Sequence, residues 1–171
     1  MKNLVLIGFM GSGKTVISEA LAKKTGRKIA DTDALIEATA GMRIKRVFAM
    51  YGEAYFRKME SAAANLAAAE TDAIIATGGG IVMRPANIKA LKKTGVVVYL
   101  KNSFEVSAKR LKKQDDRPLF DHKNLEKTKE LFKKSQPLYA AAADLTVETD
   151  RKKVTAVVWE IMKKGGKKGW L

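Results

Sequence analysis

Residues 8–15 read Gly-Phe-Met-Gly-Ser-Gly-Lys-Thr, and this run constrains the chain more than any other. It fits the pattern G-x-x-x-x-G-K-[ST]. It lies between a short apolar run, residues 3–7, and a stretch from 14 to 25 in which Val16, Ile17, Ala20 and Leu21 recur at helical spacing. A buried strand, a glycine-rich turn and a helix in that order make a cradle for phosphate. Glycines let consecutive backbone N–H groups turn inward without side-chain clashes. The helix N-terminus adds its dipole and its unsatisfied N–H groups. Gly11, Ser12 and Gly13 supply the loop, Lys14 brings a cation to the β- and γ-phosphates, and Thr15 carries a hydroxyl suited to Mg²⁺. The plain alternative is a turn that binds nothing, and its setting between strand and helix disfavours it. ATP with Mg²⁺ is the expected ligand; the loop does not say what receives the phosphoryl group.

The same alternation continues to the end. Short apolar runs at 28–31, 73–77, 96–100 and 145–148 read as further strands. Helical patterns fill 32–40, 43–51, 53–69, 85–93, 103–113, 125–141 and 152–163. Strands alternating with helices predict a parallel sheet flanked by helices. No repeat or linker divides the chain, so residues 1–171 are read as a single α/β domain. Residues 113–124 are polar, proline-interrupted and poorly periodic, and they predict a mobile loop. The ending from 164 to 171, rich in Lys and Gly, reads as a frayed tail.

Composition narrows the function classes. Thirty-three Lys and Arg against 18 Asp and Glu give a formal charge of +15, which attracts anions. The lysines are scattered as pairs, such as Lys23-Lys24 and Lys112-Lys113, with no aromatic stacking pattern among them. The expectation is a basic surface suited to small anionic substrates, with no nucleic acid partner. A basic nucleotide-binding module contacting nucleic acid is the alternative from another class. There is no cysteine, which excludes disulfides, thiolate nucleophiles and Cys-ligated metals and suits the cytoplasm. No apolar run approaches the ~20 residues of a membrane span, so no membrane partner is expected. His122 is the single histidine and reads as a solvated loop residue.

Ligands of open parallel sheets bind beyond the carboxyl ends of the strands. Loops there carry Asp31-Thr32-Asp33 and Gly78-Gly79-Gly80. No acid follows the run 73–77, so Asp31 is the candidate to support Mg²⁺ through water. Asp33 is the candidate to accept a proton from a substrate hydroxyl. Helix capping is the plainer reading of both. Arg57 and Glu60 are three apart on a predicted helix and share a face. They are either a surface ion pair of little worth, or an arginine gripping a substrate carboxylate while Glu60 orients it. The three glycines are either a plain turn or a place where backbone closely approaches a ligand.

Taken in order, the motifs are GxxGxGKT, then DTD, then GExxFRxxE (Gly52 to Glu60), then GGG, then RPL (Arg117 to Leu119), then PLY (Pro137 to Tyr139). This series resembles the shikimate kinase family over nearly the whole chain. The resemblance implies the fold of nucleoside monophosphate kinases, a single-domain P-loop fold with a five-stranded parallel sheet and a mobile lid at about 112–124. It implies transfer of the ATP γ-phosphoryl group to the 3-hydroxyl of shikimate, in aromatic amino-acid biosynthesis, by a monomer. Asp33 would bind the substrate hydroxyls and act as base, Arg57 would take the carboxylate, and Gly78, Gly79 and Gly80 would line the ring. Phe48 and Phe56 match wall positions of that pocket. Arg117 matches the lid arginine that reaches the ATP phosphates, and Arg110 with 149–154 falls where the family clasps adenine. Glu148 and Val154 depart from the commoner Asp and Pro there. Ser135 stands where the family usually has an arginine, a second cation for the substrate carboxylate. A kinase for a related polyol acid such as gluconate is the alternative within this fold.

Overall fold

The computed structural model describes residues 1–112 and 125–170. Among them, β1 (Asn3–Ile7), β2 (Ile29–Asp31), β3 (Ile74–Ala76), β4 (Gly95–Lys101) and β5 (Leu145–Glu148) form one parallel sheet, ordered β2-β3-β1-β4-β5. The intervening helices are α1 (Lys14–Thr25), α2 (Thr32–Ala40), α3 (Ile44–Ala68), α4 (Pro85–Thr94), α5 (Phe104–Leu111), α6 (Leu125–Ala142) and α7 (Val154–Lys167).

The central strands are apolar throughout because both faces of the sheet are covered. Side chains alternate across a strand, so Leu4 and Leu6 of β1 pack with Ile17 and Leu21 of α1 and Val157 and Ile161 of α7. Val5 and Ile7 point the other way, toward Ala64 and Ala67 of α3, Leu91 of α4 and Tyr139 of α6. Burying an aliphatic side chain of this size contributes roughly 1.5–3 kcal/mol, so β1 is the strand the fold can least lose.

Two local features differ from expectation and one accords with it. The helices predicted at 43–51 and 53–69 meet at a kink within α3, at Gly52, with φ 75° and ψ 177°. That conformation is essentially confined to glycine. Directly after the triple glycine comes a short 3-10 turn, Ile81–Met83, that periodicity did not signal. Helix α7 runs on to Lys167 rather than stopping near 163, although glycines follow Lys164. Packing overrides their low propensity: Gly165 is buried, and the Trp170 N–H and carbonyl bond to Gly165 and Arg27.

The expected lid, with Arg117 and His122, lies outside the described residues apart from Lys112, which follows α5. Among the described residues no helix is long and apolar enough to cross a membrane. The loops after β1, β2 and β3 all emerge at the carboxyl edge of the sheet, where the chemistry-bearing residues collect.

Candidate functional site

The phosphate loop is built by the step from β1 into α1. Gly13 caps α1 in a left-handed conformation and Lys14 opens the helix. The Lys14 ammonium donates to the carbonyls of Gly8 at 2.7 Å and Phe9 at 3.0 Å, so it lies against the loop. Ser12 is buried, and Thr15 is exposed and lines the same cleft. Arg110, from the last turn of α5, donates to the Gly11 carbonyl at 2.8 Å and lies over the loop. Thr149, Arg151 and Val154 line the same cleft from the β5–α7 connection. The segment matched to adenine binding and Arg110 therefore border one opening.

A second pocket adjoins the first. Met10, Asp33 and Gly79 line both. Asp33 thus stands at the junction between phosphate donor and acceptor space, where a group acting on a nucleophile must be.

The two aspartates divide their work. Asp31 Oδ1 caps α2, accepting from the N–H groups of Asp33 at 2.8 Å and Ala34 at 3.2 Å. The cap uses Oδ1, and Asp31 also lines the phosphate cleft. Between them Thr32 is fully buried, and its hydroxyl accepts from the Gly78 N–H at 2.9 Å, tying α2 to the glycine loop.

Arg57 and Glu60 are no surface pair. Arg57 is 8% exposed and Glu60 1%. The Arg57 Nη1 group donates to Glu60 Oε2 at 2.9 Å, and Nη2 and Nε donate to Glu53 Oε1 at 3.0 and 3.3 Å. Guanidinium has five N–H donors, so Nη1 and Nη2 each keep one for a ligand. Burial pulls the Arg57 pKa down, the Glu60 and Glu53 carboxylates push it up, and it comes out raised. Burial pushes Glu60 up from the usual carboxylate value, against the pull of Arg57, and Asp33 pushes the same way.

The glycines are explained by these neighbours. A Cβ on Gly80 would lie 1.8 Å from Arg57 Nη1, and one on Gly78 would lie 2.5 Å from Asp33 Oδ1. The Tyr139 hydroxyl, fully buried on α6, donates to the Gly79 carbonyl. Burial raises the Tyr139 pKa far above the usual phenol range, so it is a permanent donor. The Phe48 and Phe56 rings pack with centroids 4.5 Å apart, tilted by 37°, serving core and pocket at once. Ser135 is buried and lines the pocket from α6, its hydroxyl donating to Phe132 O at 2.9 Å.

All the sequence-predicted residues within the described range therefore gather along two joined clefts; Arg117 lies outside that range. Four supporting residues carry roles the sequence did not assign: Glu53, Thr32 and Tyr139, which fall within the motifs, and Arg84, whose Nη1 donates to the Arg57 carbonyl at 3.1 Å. Glu53 was accessible from its i,i+4 spacing to Arg57. The other three act across the fold and leave no local signal.

A model of the shikimate kinase family matches residues 10–165. A shikimate kinase of Caldanaerobacter subterraneus subsp. tengcongensis is 41% identical over 164 residues, covering 95% of each chain. The solved shikimate kinase of Acinetobacter baumannii, in complex with shikimate, superposes with a TM-score of 0.94 at 32% identity, over 98% of this chain and 94% of that one. A gluconokinase from Sinorhizobium meliloti shares the fold alone, at a TM-score of 0.59 and 15% identity, over 97% of this chain and 92% of its own.

Proposed function

The chain belongs to the shikimate kinase family, and on that premise we propose a role for each residue of the two joined clefts. The reaction is ATP-dependent phosphorylation of shikimate at its 3-hydroxyl, giving shikimate 3-phosphate and ADP, a step of aromatic amino-acid biosynthesis. Gly11 to Thr15 hold the phosphates, with Lys14 on the β- and γ-groups. Asp33 accepts the proton of the attacking hydroxyl. Arg57, oriented by Glu60, takes the substrate carboxylate, and Gly78 to Gly80 let the ring approach backbone. Phe48 and Phe56 wall the pocket. Arg110 borders the nucleotide, and Arg117, on a lid at about 112–124, offsets transition-state charge and helps exclude water.

The residues present fit Mg²⁺. Thr15 and Asp31 line the same cleft, and among the described residues no cluster of three or more acids or histidines forms a cage. Mg²⁺ keeps several waters and takes few protein ligands beside substrate phosphates. The Thr15 hydroxyl and Asp31, through water, would hold the ion, which would neutralise charge on the β- and γ-phosphates. A single domain of residues 1–171 acting as a monomer is part of this reading. The absence of cysteine accords with a cytoplasmic setting.

The observation that carries this reading is Asp33 and Arg57 lining one pocket across the glycine loop, with Asp33 at its junction with the phosphate cleft. ADP release from MgATP tests it, with shikimate or gluconate as acceptor. Turnover that depends on shikimate and ignores gluconate is the expected result. Gluconate-dependent turnover, or turnover indifferent to both, contradicts it.

A further inference from the structure

The acceptor pocket has the wrong charge for its substrate. The whole chain carries +15, yet the charged residues among those described as lining this pocket are Asp33, Glu60 and Arg57. Two acids face one base, and that base already serves Glu60 and, outside the lining, Glu53. Helix α6 contributes Ser135, a neutral hydroxyl, along with Leu131. A carboxylate arriving at Arg57 becomes the next anion around a single buried guanidinium.

Glu60 is the group that must respond. It is 1% exposed, and its second oxygen, Oε1, is buried with no hydrogen-bond partner. That oxygen and Asp33 Oδ1 both lie within 3.4 Å of the point a Gly78 Cβ would occupy, so two carboxylates already crowd one spot. Among the described residues, the charged and titratable groups around Glu60 are Arg57 on its own helix, Asp33 from α2, Arg84 at the start of α4 and Tyr139 from α6. Arg84 spends Nη1 on the Arg57 carbonyl and the Ser61 hydroxyl. Tyr139 is a neutral donor held by Gly79. None of these supplies a new positive charge when Arg57 turns part of its field toward a ligand. A buried carboxylate that loses its counter-charge is neutralised instead.

We infer that Glu60 is a positioning residue that takes up a proton from solvent when the substrate carboxylate docks on Arg57, so that acceptor binding is linked to proton uptake. This rests on the reading that the acceptor is a carboxylic acid. The proton adds to a Glu60 oxygen and gives a neutral acid. The pair Glu60 and Arg57 then carries net positive charge toward the ligand instead of none. Oε1 gains the means to donate a hydrogen bond, and its repulsion with Asp33 ends. Burial already raises the Glu60 pKa, in the direction that favours this uptake.

Linkage sets the sign. A group whose pKa is higher in the complex than in the free protein takes up protons between the two values, and ligand affinity falls as pH rises through that window. The substrate carboxyl is itself ionised above about pH 5.5, so it adds no slope of its own there. The test is calorimetric titration of the full-length protein with shikimate at several pH values between about 6 and 9, each in buffers of different ionisation enthalpy. The expected result is uptake approaching about one proton per shikimate, with affinity falling by up to about tenfold per pH unit across the window. Glu60→Gln, neutral at every pH, should bind without uptake and without that slope. Binding by the unaltered protein with no uptake at any pH overturns the inference, as does undiminished uptake in Glu60→Gln. Should Glu60→Gln not fold, infrared difference spectra of the unaltered protein, with isotope-labelled glutamate, decide the matter. A protonated glutamic acid band must appear on binding, and its absence overturns the inference. Failure of shikimate to bind at any pH strikes the functional reading instead.

Discussion

At the scale of single residues, the acceptor pocket is a set of mutual dependencies around Arg57. Gly80 has ordinary backbone angles, so alanine costs the fold little there, yet its methyl group would occupy the place of the Arg57 guanidinium. Gly80→Ala should therefore displace Arg57 from Glu60 and weaken shikimate binding by about ten- to a hundredfold, the worth of one lost charge-assisted hydrogen bond of ~1.5–3 kcal/mol. Denaturant midpoint and shikimate affinity measured together check this. A variant that binds normally would show that Arg57 does not hold the carboxylate. Ser135→Arg tests the opposite change. Ser135 is buried at the pocket wall, and an arginine there adds a second cation, so the Michaelis constant for shikimate should fall, again by about ten- to a hundredfold. An unchanged value would mean another residue already fills that role. The order of motifs made Arg57, Asp33 and the glycines legible, because each is local. Tyr139, Thr32 and Arg84 were illegible as supports, because a hydrogen bond from Tyr139 to Gly79 has no expression in either neighbourhood.

At the scale of elements, the kink in α3 matters most. Gly52 separates the half bearing Phe48 from the half bearing Phe56, Arg57 and Glu60, and the two phenylalanine rings meet across it with centroids 4.5 Å apart. A Cβ at Gly52 meets nothing within 4 Å, so the cost of Gly52→Ala is purely that of backbone strain. It should be about 1–3 kcal/mol, read as a lowered denaturant midpoint at unchanged slope. A variant as stable as the parent would mean the kink relaxes without strain. Sequence periodicity predicted two helices meeting here, because glycine ends helical runs, and the break falls at Gly52. At α7 the same rule erred. Buried Gly165 and the partly buried Trp170 hold the helix to Lys167, a tertiary effect that propensity does not contain.

At the scale of the whole molecule, alternation of apolar runs and helical patterns revealed a parallel α/β sheet, because strands covered on both faces leave no polar alternation. The strand order β2-β3-β1-β4-β5 is a matter of which strand finds which neighbour, and no pattern along the chain encodes it. Net charge was an equally coarse guide: +15 overall coexists with an acceptor pocket whose described lining holds two acids and one base. What unites the scales is the placement of Asp33, set by α2, crowded by Gly78, and shared by both clefts. The decisive measurement is shikimate-dependent ADP release at saturating MgATP and shikimate, with Asp33→Asn beside the unaltered protein. If Asp33 is the base, turnover in the variant falls by about a hundred- to ten-thousandfold, while ATP binding is retained. Turnover equal to the parent's in a variant that binds both substrates would contradict the account.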